Sequence, residues 1–278
     1  ALGLLANTVM NGKEVETGYY EMGDKLELIR KKDPATADFI RTKFAIPQQV
    51  VSIEKSSVLV VDDLGRRWRL PLGDEAYTSL TGQGKLRVCR EVATERDLFS
   101  CMGTFYELPA ENADGYAKIR PISTHSYRIN DYASYRGMLV LTGVNPEEGK
   151  NNEHVIVSDD GKAAVWVGVI DDLWKLGKPV GKGGPWKDTE VKANIPSDPY
   201  LIGFYDRRQL VLSHQSDKDV TFTIEVDPTG NGDWMDYKTL PVKAGEEWSY
   251  EFPDGFQARW IRFSVDTDTK ATAWLEYR

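Results

Sequence analysis

The chain has 278 residues and a formal net charge of −8; hydrophobic residues make up 41% of it, aromatic residues 11% and charged residues 28%. This composition fits a globular protein of one or two domains and excludes a disordered or fibrous chain. The negative charge disfavours binding to nucleic acid or to an anionic membrane. No apolar run reaches the roughly 18–20 residues of a membrane span. We therefore expect neither a nucleic-acid partner nor a membrane span.

Strand signals recur along the whole chain. Runs of four to eight aliphatic, β-branched and aromatic residues are broken by Gly, Asp, Asn and Pro, which is typical of strands and turns. One short helix is predicted over residues 34–44, because Asp33 and Pro34 suit a cap and a first helical position. The sequence therefore predicts a nearly all-β protein. The predicted strands are residues 25–30, 50–54, 58–61, 67–70, 85–92, 99–107, 116–121, 138–143, 155–158, 163–169, 209–213, 220–226, 237–242, 247–252, 260–265 and 271–277.

One local pattern repeats. A strand, an acidic turn with Gly, a basic residue and a strand with Trp occur in residues 60–68 and again in residues 157–166, as a β-hairpin needs. A weaker relative lies at residues 112–116. The spacing between successive copies of this pattern is close to the length of one four-stranded propeller blade, about 40–45 residues. A β-sandwich also produces such hairpins at irregular spacing, so both architectures remain open.

Residues 209–277 show a cleaner alternation. Phe222, Ile224 and Val226 alternate with polar residues, as in a strand with one buried face. We predict a β-propeller-type portion over residues 1–205. An antiparallel β-sandwich-like module, or terminal blades, is predicted over residues 206–278.

Residues 171–205 are rich in Gly, Pro and Lys and show no helix or strand period. Loops of this length in a compact domain are usually functional or disordered, and the tryptophans argue against disorder. We predict an ordered loop laid over one end of a β-structure and anchored by Trp174 and Trp186. It is either a lid that seals a core or a ligand-facing loop, whose lysines, including Lys178, are candidates to bind an acidic sugar.

Cys89 and Cys101 lie on two predicted strands joined by a polar turn. If they face one another across that hairpin, a disulfide would stabilise the fold by roughly 3 kcal/mol. Two reduced, buried thiols are the alternative.

Two segments carry candidate catalytic groups. Arg90 and Glu91 lie beside the same turn, where they form either a surface ion-pair network or an acid–base carboxylate next to arginines that clamp a uronate. His125 follows a predicted strand among hydroxyl residues, and its ordinary pKa suits a proton shuttle. The alternative for His125 is a histidine that only hydrogen-bonds its loop.

Other site classes have weaker signals. No nucleophile-elbow, zinc-protease or nucleotide-binding pattern is present, and the cysteine spacing fits no zinc site. Acidic residues at 159–160 and 227–233 are candidates for a structural calcium ion, although their spacing is not that of an EF-hand. Eight tryptophans and thirteen tyrosines favour carbohydrate stacking in a general way, with most of them in the core.

Four motifs bear on a family resemblance: REVATER at residues 90–96, GTFYELP at 103–109, IRPISTH at 119–125 and YRGMLV at 135–140. Together they resemble bacterial seven-bladed β-propeller proteins of polysaccharide degradation, with enzymes that cleave rhamnosyl-glucuronate linkages, as hydrolases or lyases, as the nearest type. The similarity covers roughly residues 60–205.

The resemblance implies a site around the propeller axis. His125, Tyr106, Arg90 and Arg120 would transfer protons and hold the uronate there. We expect a protein of this type in the periplasm or outside the cell.

The length departs from the resemblance. Seven blades of about 45 residues and a terminal module need more than this chain offers. The chain begins at Ala1 without a charged-then-apolar leader, so either a signal peptide has been removed or the chain is part of a longer protein. Another part of the same protein is therefore a candidate partner, beside an oligo- or polysaccharide.

Two functions follow from these features. The first is a glycoside hydrolase or polysaccharide lyase that cleaves an acidic, uronate-containing polysaccharide; His125 or Glu91 would move the proton and arginines would neutralise the carboxylate. The second is a non-catalytic carbohydrate-binding or scaffold protein in which Trp174, Trp186 and Tyr200 stack on sugar.

Overall fold

The computed structural model describes residues 1–11, 13–43, 51–77, 87–91, 96–129 and 131–278. β-Strands are the main secondary structure, and the described residues contain one α-helix, α1 (Pro34–Lys43). None of the helices in these ranges is both long and apolar enough to cross a membrane. The strands are β1 (Leu2–Met10), β2 (Lys13–Met22), β3 (Leu28–Lys31), β4 (Val51–Ile53), β5 (Val58–Val61), β6 (Arg67–Leu70), β7 (Arg87–Glu91), β8 (Arg96–Cys101), β9 (Thr104–Leu108), β10 (Arg120–Thr124), β11 (Tyr132–Tyr135), β12 (Met138–Leu141), β13 (Val155–Val157), β14 (Ala164–Gly168), β15 (Gly181–Val191), β16 (Tyr200–Leu201), β17 (Arg208–His214), β18 (Val220–Asp227), β19 (Met235–Val242), β20 (Trp248–Glu251), β21 (Trp260–Val265) and β22 (Thr269–Tyr277).

The chain divides into two compact units, each built from three separate segments. The first unit contains Ala1–Gln48, Glu75–Gly103 and His125–Leu176. The second unit contains Gln49–Asp74, Thr104–Thr124 and Gly177–Arg278. The division into residues 1–205 and 206–278 stays a prediction, and both of its parts contribute residues to the second unit.

The first unit has two antiparallel sheets, with strand orders β1-β2-β3 and β11-β12-β14-β13, and the hairpin β7–β8. Because side chains alternate across a strand, each sheet presents one apolar face. These faces pack together around one cluster of buried residues. The cluster contains Tyr20, Met22, Leu28, Val140, Ala163, Val165 and Val167.

An acidic turn fastens the hairpin β13–β14 to the first sheet. The Asp159 carboxylate accepts the backbone N–H of Arg30 at 2.9 Å. The Asp160 carboxylate pairs with the Arg30 guanidinium at 3.1 Å and accepts the Tyr20 hydroxyl at 3.3 Å. The turn therefore fixes the position of the residues that follow it, beginning with Lys162.

The second unit contains a four-stranded sheet, β15-β22-β17-β20, and a seven-stranded sheet, β19-β18-β21-β16-β6-β5-β4, with the hairpin β9–β10. Aromatic side chains join the two sheets, as Trp186 on β15 does with Phe263 on β21 at a centroid distance of 6.2 Å. The Tyr277 hydroxyl on β22 donates to the Leu201 carbonyl on β16 at 2.6 Å. The two sheets are therefore layers around one core, as in a sandwich.

Several sequence predictions are confirmed. The protein is all-β, and the helix predicted over residues 34–44 is α1, at whose start the Asp33 carboxylate accepts the Thr36 N–H at 3.0 Å. The predicted strands 58–61, 67–70 and 260–265 coincide with β5, β6 and β21. The two hairpins with acidic turns, β5–β6 and β13–β14, are present.

The irregular loop predicted over residues 171–205 is wrong in its centre. Ile170–Lys175 is a 3-10 helix, and β15 is an eleven-residue strand paired with β22. The register of that pairing shifts on both sides of Trp186. Because such bulges interrupt the alternation of side chains, the strand has no regular period in the sequence.

The propeller-type architecture is not confirmed. The described residues form sheets of three, four and seven strands rather than a series of equal four-stranded blades. The weak relative at residues 112–116 lies in two short 3-10 helices, Glu111–Ala113 and Gly115–Lys118, and not in a hairpin. The sequence also missed the hairpin of β1 and β2.

Candidate functional site

His125 follows β10, as predicted, and is buried, with 6% of its surface exposed. Its Nδ1 accepts the backbone N–H of Tyr127 at 3.3 Å, which places the ring proton on Nε2, 3.3 Å from the Ser100 hydroxyl oxygen. Burial lowers the pKa of His125 to about 4, so the ring is neutral at pH 7. Since Nε2 already carries a proton, this pair lacks the arrangement in which a histidine activates a serine.

Arg90 and Glu91 belong to β7, and β7 pairs with β8 in the predicted hairpin. Their side chains lie outside the described residues. The acid–base role of Glu91 and the uronate-binding role of Arg90 therefore stay predictions.

The same hairpin decides between the two cysteine alternatives. Its register places Leu98 opposite Cys89, three residues before Cys101. The Cys101 thiol is free and buried, which excludes the disulfide alternative and agrees for Cys101 with the alternative of a reduced, buried thiol. Burial raises the pKa of Cys101 to about 12, which keeps the thiol protonated and unreactive.

Tyr106 and Tyr200 lie in a buried group of tyrosines in the second unit. Tyr205 stacks on Tyr277 at a centroid distance of 4.0 Å, and Tyr200 lies 6.3 Å from Tyr277. Tyr200 is completely buried, and burial raises its pKa well above the ordinary value. Tyr200 therefore presents no ring face to solvent on which a sugar could stack.

Arg120 and Lys178 belong to the second unit and both form ion pairs. Arg120 donates through Nε and Nη2 to Glu107 at 2.9 and 2.6 Å. Lys178 pairs with Asp206 at 2.6 Å, and both side chains are largely exposed. Their predicted role in holding a uronate remains a prediction, and each would have to share its charge with its carboxylate partner.

The two tryptophans of the predicted loop have different environments. Trp186 is buried against Phe263 in the core of the second unit. Trp174 is 47% exposed on the 3-10 helix Ile170–Lys175 of the first unit. Of the aromatic residues predicted to stack on sugar, Trp174 is the exposed one.

The calcium candidates hold no ligand set. Within the described ranges, no group of three or more His, Cys, Asp or Glu side chains could hold a metal ion. Asp227 accepts the backbone N–H groups of Thr229, Gly230 and Gly232 at 3.1, 2.8 and 2.7 Å. Because these donors occupy both carboxylate oxygens, Asp227 serves as a turn-forming residue.

A cavity of about 690 Å³ lies within the first unit, and every residue that lines it belongs to that unit. Leu4 on β1, Leu28 on β3 and Val165 on β14 form an apolar wall. This volume lies within the range of about 300–1,000 Å³ that is usual for small-molecule sites.

Polar and charged side chains lie around this apolar wall. They are Asn7, Glu75, Arg128, Asn145 and Lys162. Neither Arg128 nor Lys162 forms an ion pair with a carboxylate in the described part of the chain. Two cations therefore line the cavity without an ion-pair partner among the described residues.

The backbone positions the two cations. The N–H of Lys162 donates to Asp160 at 3.1 Å and to the Ser158 hydroxyl at 3.2 Å, which ties it to the anchored turn. Gly143 has a φ of +86°, and a Cβ atom there would lie 2.1 Å from the Arg128 carbonyl oxygen. Only glycine allows this approach, so the segment that carries Arg128 is packed directly on the cavity wall.

Asn145 is oriented by the start of a 3-10 helix, Pro146–Lys150. Its side-chain oxygen accepts the N–H of Glu147 at 3.0 Å, while its own backbone N–H donates to Glu148 at 3.2 Å. With the oxygen engaged, the amide nitrogen remains as the donor that can bind a ligand.

The sequence did not identify this cavity. None of the predicted site residues with a described side chain lines it. Its polar groups come from five separated segments, and only Lys162 belongs to a pattern that the sequence analysis described, as the basic residue after the acidic turn in residues 157–166. The acidic turn that recurs in residues 60–68 and 157–166 was thus the one sequence feature that overlaps the cavity, and it did not indicate a ligand.

No protein-family model matches the chain, and no curated protein is significantly similar to it. Among solved structures, the crystal structure of PirA is similar at 16% identity with a TM-score of 0.22, over 36% of this chain and 84% of that chain. A variant β-fructofuranosidase of glycoside hydrolase family 32 from Bombyx mori, in complex with sucrose, is similar at 10% identity with a TM-score of 0.18, over 99% of this chain and 76% of that chain. Both similarities are weak and support no argument about activity, and no match supports the rhamnosyl-glucuronate type.

Proposed function

We propose that this protein binds an acidic, uronate-containing oligosaccharide in the cavity of the first unit. The observation that carries the proposal is the pair Arg128 and Lys162, which line the cavity without a carboxylate partner among the described residues. A ligand carboxylate would supply the missing counter-charge, and charge-assisted hydrogen bonds are stronger than neutral ones.

The remaining lining suits a sugar. Asn7, Asn145 and Glu75 offer donors and acceptors for hydroxyl groups, while Leu4 and Val165 offer apolar contact to the C–H face of a ring. A mostly apolar wall with a few placed polar groups is the usual composition of a ligand site.

Binding is better supported than cleavage. Hydrolysis of a glycosidic bond generally uses two carboxyl groups that flank the bond, and Glu75 is the single carboxylate among the described residues that line the cavity. His125 does not line the cavity and is neutral. Cleavage by His125, Glu91 or Tyr106 stays a prediction from the sequence, and a secreted location stays one too.

The test compares two double variants by calorimetric titration with glucuronate oligosaccharides. Arg128→Gln with Lys162→Gln should weaken binding about a hundredfold or more, because each of the two charge-assisted hydrogen bonds contributes about 1.5–3 kcal/mol. Lys25→Gln with Lys32→Gln is the matched control, since it changes the net charge equally at exposed lysines of the same unit that do not line the cavity. Its affinity should equal that of the wild type.

Two results would refute the proposal: equal affinity of both double variants, or equal affinity for neutral and acidic oligosaccharides. The same samples, assayed for reducing ends and for ultraviolet absorbance of an unsaturated product, would show whether the bound sugar is also cleaved.

A further inference from the structure

In the second unit, apart from the cavity of the first, an exposed aromatic ring, Phe204, lies against an arginine, Arg259. Phe204 lies in the turn between β16 and β17, is 46% exposed and has a φ of +71°. The left-handed region is strained for a bulky side chain, and an exposed phenyl ring loses the benefit of burial. Two unfavourable features therefore coincide at one residue, and such strain is often retained where it serves a function.

The turn is held rigidly in this strained form. The backbone N–H groups of Ile202 and Gly203 both donate to the Arg259 carbonyl, at 3.0 and 3.1 Å. A Cβ atom on Gly203 would lie 2.8 Å from the Ala258 carbonyl oxygen, so the two backbones are in close contact. The Arg259 guanidinium covers one face of the Phe204 ring at 4.8 Å from its centroid.

Arg259 has unused hydrogen-bonding capacity. Its Nη1 donates to the carbonyls of Lys118 and Ile119 at 2.7 and 2.9 Å. Its Nε is buried without a hydrogen-bond partner in the described part of the chain. No described residue accepts a hydrogen bond from Nη2.

Arg259 lies among charges of both signs. Burial, and after it the positive charge of Arg120, lower the pKa of Arg259, whereas the negative charges of Asp227 and Glu107 raise it. Arg120 is paired with Glu107, but its repulsion of Arg259 remains. An anion next to Nη2 would offset the repulsion between Arg120 and Arg259 and would accept a hydrogen bond from Nη2.

We propose that Phe204 and Arg259 form a second binding site, for a single uronic acid ring. The C–H face of the sugar would lie on the outer face of the Phe204 ring, and its carboxylate would accept a hydrogen bond from Nη2 of Arg259. The two groups are already in place, so binding would require no rearrangement of the turn. This site does not depend on the cavity of the first unit.

The test is a titration of the ¹⁵N-labelled protein with glucuronate, followed by NMR at the Gly203 amide and the Arg259 Nε–H. Both signals should shift clearly more with glucuronate, which can use the ring and the arginine together, than with glucose or inorganic sulfate at the same concentration. Phe204→Gly should weaken this response at least tenfold while the melting temperature stays equal or rises, since glycine adopts a positive φ without strain. Phe204→Tyr, which keeps the ring, should respond as the wild type does.

Ile195→Ala is the matched control, because Ile195 is an exposed apolar residue of the same unit. It should leave the titration unchanged. The response at Gly203 and Arg259 should also persist in the variant with Arg128→Gln and Lys162→Gln, which separates this site from the cavity. The inference is overturned if neither signal shifts, if Phe204→Gly binds as the wild type does, or if sulfate or glucose alone gives an equal shift.

Discussion

Burial of His125 makes the stability of the protein depend on pH. The pKa of its ring is about 4 in the folded protein, against about 6.5 for an unperturbed histidine. Between these values the unfolded state binds more protons than the folded state, so the free energy of unfolding rises with pH. The contribution is complete above about pH 6.5 and is lost as the pH falls toward about 4.

We expect the wild type to lose about 2 kcal/mol more stability than His125→Gln between about pH 7 and about pH 5, because only the wild type has this ring to protonate. Urea denaturation of both proteins at the two pH values measures the difference. Parallel losses in the two proteins would mean that His125 is not buried in its neutral form. The variant is less stable at both pH values, but the prediction concerns the change with pH alone.

At the scale of elements, β16 and β22 each contribute a buried tyrosine, Tyr200 and Tyr277, and only the hydroxyl of Tyr277 is hydrogen-bonded within the described ranges. The Tyr277 hydroxyl donates to the Leu201 carbonyl at 2.6 Å. The Tyr200 hydroxyl is buried and has no hydrogen-bond partner in the described ranges. An unsatisfied buried hydroxyl costs free energy, whereas a satisfied one stabilises by about 0.5–1.5 kcal/mol.

The two Tyr→Phe substitutions should therefore differ in sign. Tyr277→Phe should destabilise the protein by about 0.5–1.5 kcal/mol or more, because it also leaves the Leu201 carbonyl without this donor. Tyr200→Phe should be neutral or stabilising, because it removes a polar atom that gains nothing in the fold. Thermal denaturation of each variant measures both effects, and a clear loss of stability in Tyr200→Phe would show that its hydroxyl is hydrogen-bonded after all.

How well the sequence predicted each element depended on how regular that element is. β5, β6 and β21 are short runs of alternating or apolar residues, and their bounds were predicted correctly. β15 was missed because bulges on either side of Trp186 break its period. The sequence left the disulfide and the reduced thiols open as alternatives, because only the register of the hairpin, which places Leu98 rather than Cys101 opposite Cys89, separates them. Register depends on turn geometry, which the sequence of this turn did not define.

The candidate site was less predictable than the strands. Asn7, Glu75, Arg128 and Lys162 are far apart in the sequence, and only Asn7 lies on a strand, whereas the other three lie on a 3-10 helix, a loop and a turn that the fold of the first unit brings to one cavity. Strand periodicity indicates which face of a strand is buried, but it does not indicate which sheets pack together. The opposite error concerns Trp186 and Tyr200. The sequence suggested that they stack on sugar, but both side chains are buried in the core.

At the scale of the whole molecule, a net charge of −8 opposes the binding of any acidic polymer. This repulsion reaches about 30 Å from a charge at 0.01 M salt but only about 8 Å at 0.15 M. A uronate inside the cavity is close to Arg128 and Lys162, whereas further uronates of a long oligomer lie outside, near a surface that is negative on average. Salt should therefore weaken the attraction of the uronate inside the cavity and also weaken the repulsion of the uronates outside it.

We expect added salt to weaken the binding of glucuronate itself, because the ions screen its attraction to the two cations. For a longer glucuronate oligomer, the same salt also screens the repulsion of the units outside the cavity. The affinity of the oligomer relative to the monosaccharide should then rise between about 10 mM and about 150 mM salt. Calorimetric titration of both ligands at the two salt concentrations measures this ratio. If the ratio falls instead, the units outside the cavity are attracted to the protein, and a positively charged surface must continue beyond Arg128 and Lys162 despite the negative charge of the whole.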